Sequence, residues 1–342
     1  MLSVVLAAPG RLELVERPEP PAPERGEALV AVRRVGICGT DHHAFAGQQN
    51  FIQYPCVLGH ELAVEVLSLG PDVDHVQAGD LCAVLPYVAC ESCDSCRRGR
   101  TNTCERLQVL GVTREGGLQE QMVVPATLLF PGEGLHLDQL ALVETLGIGW
   151  HAMRRARPEA GDRALVLGAG PIGLAVAQAL REFTDQIVIA DLATSRRDFA
   201  ASQGLTAVPV GAGPGAPMPE LFDGQLPSLV FDATGQEASM ESALGYAGPG
   251  GRVVFVGHTR GRISIDNPTF HARELDVMGS RNATADDWHD VVKRVRGGQL
   301  DALSWINHRA SLESIVDDLP TLVESTGAVV KTVVEVGDVA HV

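Results

Sequence analysis

Nowhere in the 342 residues does an apolar run approach the ~18 residues that a membrane span needs. No basic region precedes the short apolar stretch at the start, as it would in an export signal. A cytoplasmic protein with no membrane partner is the expectation. Basic residues are also scarce: 27 Lys and Arg stand against 43 Asp and Glu, a net charge of −16. That balance argues against a nucleic-acid or anionic-membrane partner and for a self-repelling particle. Aromatic residues make up only 4%, which favours a hydroxylated ligand over a long apolar one. The seven cysteines are odd in number and four crowd between 90 and 104, so metal ligation in a reducing compartment suits them better than a disulfide framework. What is present is ordinary: 45% apolar and 20% charged residues, enough for a sizeable core, in a chain long enough for two domains.

Short strand-like runs at 3–7, 12–16 and 28–35, with a proline-rich connector at 17–23, predict a small β-rich region. Gly-Ile-Cys-Gly-Thr-Asp-His-His follows at 36–43. It gathers a thiol (Cys38), a hydroxyl (Thr40), a carboxylate (Asp41) and two imidazoles (His42, His43), and its glycines at 36 and 39 allow a sharp backbone path. After a loop at 44–56, Gly59-His60-Glu61 opens an alternating strand over 62–69. Folding that joins Cys38 to His60 and Glu61 would assemble a zinc-type donor set. Cys90, Cys93, Cys96 and Cys104 can close a tetrahedral site with no open position. Such a site is structural, stapling a lobe too small for its own core; an iron–sulfur cluster is the competing reading. A helix is predicted over 135–155, with Glu144 inside its apolar part, where a carboxylate must be paired or ligate something.

From Asp162 the texture becomes alternating strand and helix. A buried-strand run ends in Gly168-Ala-Gly170-Pro171-Ile172-Gly173, a GxGxxG pattern, followed by an amphipathic helix over 174–183. The next strand ends in Asp191, where an acidic side chain can accept both ribose hydroxyls of an adenosine. The glycines let a pyrophosphate approach the helix N-terminus, whose free N–H groups and dipole favour negative charge. Asp191 would repel a 2′-phosphate, so NAD is expected over NADP, although Arg196 and Arg197 could accommodate that phosphate. Further strands are read near 228–232, 251–256 and 275–279, and Thr234, Val256, Gly257 and Ser280 at their ends are candidate cofactor contacts. The proline/glycine stretch at 211–219 carries no recognisable chemistry. Beyond 280 comes a helix-like segment at 286–295 and then strand-like segments expected to rejoin the first domain.

Together these motifs resemble the zinc-dependent medium-chain alcohol/polyol dehydrogenase family over essentially the whole length, and glutamate at 144 resembles its sorbitol, threonine and sugar dehydrogenase branch. The resemblance implies an α/β fold: a GroES-like β-rich catalytic domain at 1–145 with a zinc lobe at 86–110, a Rossmann doubly wound parallel sheet at 146–280, and a return to the catalytic domain at 281–342. It implies an active site between the domains and two zinc ions per chain. Cys38 and His60 would hold the catalytic zinc, with Glu61 or Glu144 as the remaining protein ligand. Asp41 would fix the His60 tautomer.

Lewis acidity at that metal would ease removal of the alcohol proton, NAD would take the hydride, and the proton would leave through Thr40, the nicotinamide ribose and His43. A polyol, sugar or sugar-acid substrate is expected, with Arg281 and Asn282, and on the outside Phe45, Gln48 and Phe51, as substrate candidates. L-Threonine 3-dehydrogenation is the alternative within the family. A non-catalytic NAD-binding regulatory protein is the alternative from another class. The family resemblance also implies a homodimer or homotetramer.

Overall fold

The structure, a computed structural model, describes residues 1–49, 51–210, 219–324, 327 and 329–337. The stretch at 211–218 therefore lies outside the described residues. The chain forms two compact units, one of Met1–Glu144 with Thr284–Val342 and the other of Thr145–Ala283.

In the first unit, Glu27–Ile37 is an eleven-residue strand buried on both faces over much of its length, as its Val, Ala and Ile content dictates. It is the axis of a seven-stranded sheet. Glu61–Leu69 runs antiparallel on one side with Gly36 opposite Glu61. Lys331–Glu335 runs antiparallel on the other with Ile37 opposite Thr332. Gln121–Pro125 pairs with the first half of the same strand. Leu81–Val84 and Leu129–Pro131 extend the sheet beyond Glu61–Leu69, and Ile306–Ser311 extends it beyond Lys331–Glu335. A smaller sheet of Arg11–Glu16, Leu2–Ala8 and Cys56–Val57 completes the β-rich part, and a short pairing of Tyr87–Val88 with Gln108–Val109 brackets the cysteine lobe.

Two expectations change here. The stretch 36–43 is no loop: Gly36 and Ile37 close the strand, and Gly39–Phe45 is a helix whose first turn is fastened by the Cys38 N–H donating to Asp41 Oδ2 at 2.9 Å. Gly36 is absent from the positive-φ glycines, so its purpose is not a sharp path. The helix predicted over 135–155 is two helices, Leu137–Ala141 and Val143–Ala156, separated at Leu142. That break places Glu144 in a first turn, where the helix dipole favours a negative charge. The segment expected to be helical at 286–295 is Ala285–Arg296, capped by Thr284, with Trp288 fully buried.

The second unit is a six-stranded, wholly parallel sheet in the spatial order Thr206–Pro209, Ile187–Asp191, Ala164–Leu167, Leu229–Asp232, Arg252–Phe255, Asp276–Gly279. This is the 3-2-1-4-5-6 order of a dinucleotide fold. Its apolar strands supply the core, with Leu165, Leu167, Val188, Val230 and Val253 packed against Phe222, Leu244 and Tyr246. The fold is thus a GroES-like β-rich domain and a Rossmann-type domain. Among the described residues, no helix is long and apolar enough to cross a membrane.

Candidate active site

Sheet register builds the first donor set. Cys38 follows the end of the central strand directly, and Glu61 begins the strand paired with it. The ligand atoms of Cys38, His60 and Glu61 consequently lie within 4.8 Å of one another, with His60 and Glu61 buried. Thiolate, imidazole and carboxylate are all zinc donors. His60 Nδ1 is buried without a hydrogen-bond partner, and its nearest acid, Asp41 Oδ1, is 3.8 Å away, too far for a hydrogen bond. Burial by itself would lower the His60 pKa, yet Asp41, the hydrogen bond and charge of Cys38, and Glu144 together raise it well above its ordinary value. The surroundings favour positive charge, and the residues present fit a zinc ion.

Asp41, expected to set the His60 tautomer, faces His60 Nδ1 at 3.8 Å and is also a backbone fastener: fully buried, it accepts the N–H groups of Cys38 at 2.9 Å and Gly59 at 3.3 Å. It thereby ties the backbone at Cys38 to the backbone at Gly59.

The two candidate carboxylates have different partners. Both oxygens of Glu61 accept from Lys331 Nζ, at 2.6 and 2.7 Å, and both side chains are almost fully buried. The carboxylate lies across Gly36; a Cβ there would sit 2.0 Å from Glu61 Oε2. Glu144 is buried too, and its Oε1 accepts from the Tyr87 hydroxyl at 2.6 Å. Burial raises the Glu144 pKa, with His60 opposing and Glu61 adding to the rise. Tyr87 is pushed well up by burial first and then by the Glu144 charge. Behind it, the Tyr87 ring meets Trp288 edge-on at 6.2 Å, which holds the phenol in place.

Neither Lys331 nor Tyr87 was predicted from sequence. A lysine opening an apolar strand, Lys-Thr-Val-Val-Glu at 331–335, was the available signal for the first, since an ammonium there must be paired. Tyr87 offers none.

The remaining candidates around this site lie on or beside the helix Gly39–Phe45. Thr40 is half-buried, its Oγ1 3.9 Å from Cys38 Sγ. His43 is exposed and His42 half-buried; burial, only partly offset by Asp41, lowers the His42 pKa. Phe45 is half-buried, whereas Gln48 and Phe51 are exposed.

The second cluster joins Cys90, Cys93, Cys96 and Cys104. Cys93 Sγ lies 3.4 Å from Cys96 Sγ and 3.9 Å from Cys104 Sγ, bracketing the roughly 3.8 Å that tetrahedral sulfurs about 2.3 Å from one zinc would show. The N–H groups of Cys90 and Arg106 both donate to Cys104 Sγ at 3.3 Å, and the Arg106 guanidinium donates to Cys90 Sγ at 3.3 Å. The Ser92 N–H and then Arg106 draw Cys90 down to about 5, while burial and the neighbouring sulfurs push Cys96 up to about 12. Four cysteine sulfurs gathered in this way fit a zinc ion.

In the Rossmann-type unit, Gly168 has φ +96° and a Cβ at Gly173 would lie 1.8 Å from the Gly168 carbonyl oxygen, so both positions require glycine. The helix Pro171–Leu180, containing Pro171, Ile172 and Gly173, starts from Gly170. Asp191 closes this loop: its Oδ2 accepts from Ala169 N–H and its Oδ1 from Ala193 N–H, each at 2.8 Å. Arg196 reaches over Gly170, whereas Arg197 is turned onto the Asp191 and Leu192 carbonyls. The Thr234 hydroxyl donates to buried Asp232 at 2.9 Å, and the N–H groups of Val256 and Gly257 donate to the Asp232 carbonyl. Ser280 N–H donates to the Phe255 carbonyl, and its hydroxyl oxygen is buried without a partner. Arg281 is exposed, and Asn282 is half-buried with φ 53°.

A β-rich domain holding two metal-type clusters, coupled to a dinucleotide fold, defines a zinc-type dehydrogenase. Comparison with known proteins agrees: the Alcohol dehydrogenase GroES-like domain matches residues 24–134 and the Zinc-binding dehydrogenase family residues 171–297. The chain belongs to the zinc-type medium-chain alcohol/polyol dehydrogenase family and is an oxidoreductase that moves a hydride between an alcohol carbon and a nicotinamide.

It is 39% identical over 301 residues to L-galactonate-5-dehydrogenase of Escherichia coli K12, covering 87% of this chain and 88% of that protein. It is 32% identical over 297 residues to 2-dehydro-3-deoxy-L-galactonate 5-dehydrogenase of Pseudoalteromonas atlantica, covering 86% and 87%. A solved alcohol dehydrogenase of E. coli CFT073, complexed with NADH, superposes with a TM-score of 0.90 at 28% identity, covering 98% of this chain and 99% of that one.

Proposed function

We propose that the chain oxidises a secondary hydroxyl of a sugar acid, sugar or polyol with NAD, using one zinc at Cys38 and His60 and keeping a second, structural zinc in the four-cysteine lobe. The observation that carries the chemistry is the buried thiol–imidazole–carboxylate set of Cys38, His60 and Glu61, with Glu144 beside it. The substrate class rests on the two galactonate-type relatives together with the low aromatic content.

When bound, zinc supplies Lewis acidity that eases loss of the alcohol proton, and the nicotinamide supplies the hydride acceptor. The chain's own residues do the rest. Cys38, His60 and one of the two glutamates hold the metal. Thr40 and His43, on one helix, carry the proton from the alcohol outwards. Gly168, Gly170 and Gly173 let the cofactor phosphates meet the helix N-terminus, and Asp191 takes the adenosine ribose, disfavouring a 2′-phosphate. Arg281 and Asn282 contact the substrate, Arg281 suiting its carboxylate or hydroxyls. The subunits pair as a dimer or tetramer.

NADH formation at 340 nm against sugar acids, sugars, polyols, L-threonine and simple alcohols, beside a metal analysis, tests this reading. The expected result is activity on a sugar acid or polyol with about two zincs per chain. L-Threonine belongs in the panel because the chain is 30% identical to L-threonine 3-dehydrogenase of Pyrococcus horikoshii, and a preference for it would overturn the substrate class. Cys38→Ala should lose one zinc and its turnover while still binding NAD; turnover by the metal-depleted variant would overturn the mechanism.

A further inference from the structure

Asp232 is an acid of the Rossmann-type unit that is buried without a cation. It ends the strand Leu229–Asp232 and is 0% exposed. Its Oδ1 accepts from the Thr234 N–H at 3.0 Å, the Thr234 hydroxyl at 2.9 Å and the Gly235 N–H at 3.3 Å. Its Oδ2 accepts from the Ser239 hydroxyl and, at 3.2 Å, from the Thr234 hydroxyl. These donors are all neutral, and among the described residues no Lys, Arg or His is paired with the carboxylate. Both oxygens accept, the pattern of an ionised carboxylate. A buried charge without a counter-ion costs stability that a neutral amide of the same shape would not. Its negative potential is left over for whatever sits on the turn above it.

That turn lies where the cofactor must pass. The strand order reverses between Ala164–Leu167 and Leu229–Asp232, and a dinucleotide spans such a crevice. With Asp191 on the far side taking the adenosine ribose, the nicotinamide falls to the half of the sheet that Asp232 opens. The turn also touches both neighbouring strand ends. A Cβ at Gly168 would lie 3.0 Å from Thr234 Cγ2, and one at Gly257 would lie 2.2 Å from the Gly235 nitrogen. The Asp232 carbonyl accepts from the Val256 and Gly257 N–H groups at 2.8 and 2.9 Å.

We propose that Asp232 is a positioning residue whose buried charge, lying under the turn 233–235, makes the site prefer the oxidised cofactor. The inference rests on the reading that NAD occupies this unit. The nicotinamide ring is cationic in NAD⁺ and neutral in NADH, whereas the pyrophosphate and adenosine are the same in both. A fixed anion on the nicotinamide side therefore separates the two forms by charge alone. Burial matters, because salt screens a surface acid far more than this one. Such a site loads NAD⁺ and lets NADH go, which is the direction of alcohol oxidation.

The test titrates the zinc-loaded whole chain with NADH, followed by its fluorescence, and then displaces it with NAD⁺, so that no turnover is needed. If wild type binds neither form, the cofactor reading fails, independently of Asp232. Asp232→Asn keeps the shape and an acceptor for Thr234 and Gly235, and the Ser239 hydroxyl can rotate to accept from the new amide. It should raise the ratio of Kd for NAD⁺ to Kd for NADH by about tenfold, the order of effect that one unit charge exerts across about two strand spacings of protein interior. Ser239→Ala strips a donor from a charge that stays, so it should move the same ratio the other way. Loss of hydrogen bonds alone would weaken both forms by a common factor in each variant and leave the ratio where it was. An Asp232→Asn ratio equal to that of wild type would reduce the acid to a structural role and overturn the proposal. Should Asp232→Asn not fold, Ser239→Ala alone decides: a ratio lowered in favour of NAD⁺ supports the buried charge, and an unchanged or raised ratio overturns it.

Discussion

Tyr87 donates its hydroxyl hydrogen to Glu144 Oε1 at 2.6 Å, deep in the β-rich unit. The bond ties up one oxygen of the carboxylate. Tyr87→Phe keeps the ring against Trp288 and removes only the donor. A buried carboxylate stripped of a hydrogen bond costs about 1–3 kcal/mol, and a lost outer partner typically costs about tenfold in metal affinity or activity. The expected outcome is a modest fall in Tm with kcat/KM down about tenfold, measured by calorimetry and steady-state kinetics.

Gly36→Ala tests the space over Gly36 that the Glu61 carboxylate occupies. Its new Cβ would overlap Glu61 Oε2 at 2.0 Å, and the strand cannot shift without disturbing neighbours on both sides. Disrupting the Lys331–Glu61 pair should cost about 3–5 kcal/mol. Thermal unfolding should show that loss, and metal analysis should find the Cys38 site depleted while the four-cysteine site stays filled.

Much of this was legible from residue types. Thiols at short spacing, a His-Glu pair at a strand mouth and glycines between a strand and a helix each announce local chemistry, because metal ions and phosphates accept few partners. Gly36 shows the limit. Next to Cys38 it read as a turn glycine, but it is a strand residue kept small for a carboxylate from the neighbouring strand. Asp41 likewise holds the Cys38 and Gly59 N–H groups, a backbone role beyond the one expected toward His60. Both roles depend on register between distant segments, and no local spacing encodes that. The break at Leu142 escaped for a related reason: 137–141 and 143–156 share one apolar texture, and tertiary packing divides them.

Asp138 should impose a pH dependence on stability. It accepts from Arg34 Nε at 3.1 Å and from Arg309 at 2.5 Å. Burial tends to raise its pKa, but Arg309 and then Arg34 outweigh that and hold it below the usual carboxylate value. A carboxyl depressed in the folded state contributes stability above its unfolded pKa of about 4, and that contribution is lost as pH falls through the folded value. Asp138→Asn should therefore have a lower Tm than wild type at neutral pH, and the difference should shrink as the pH is taken below about 4.

Asp191 should govern cofactor choice. Its two oxygens hold the Ala169 and Ala193 N–H groups at 2.8 Å, which sets the carboxylate beside the glycine loop. Asp191→Ala should raise KM for NAD about tenfold and narrow the preference over NADP, because the ribose acceptor and the charge opposing a 2′-phosphate vanish together. The ratio of kcat/KM for the two cofactors measures it.

Lys331 and Glu61 are separated by 270 positions in the chain, so the metal pocket cannot be electrically complete early in folding. Until the strand carrying Lys331 docks, Glu61 faces an unoccupied flank of the central strand and the nearby acids lack their balancing ammonium. Contacts so remote in sequence form late, because their loop-closure entropy must be met first. A partly folded chain would thus hold Glu61 without its counter-ion. Closure of the Glu61–Lys331 pair therefore waits on the C-terminal strand taking its place between the central strand and Ile306–Ser311.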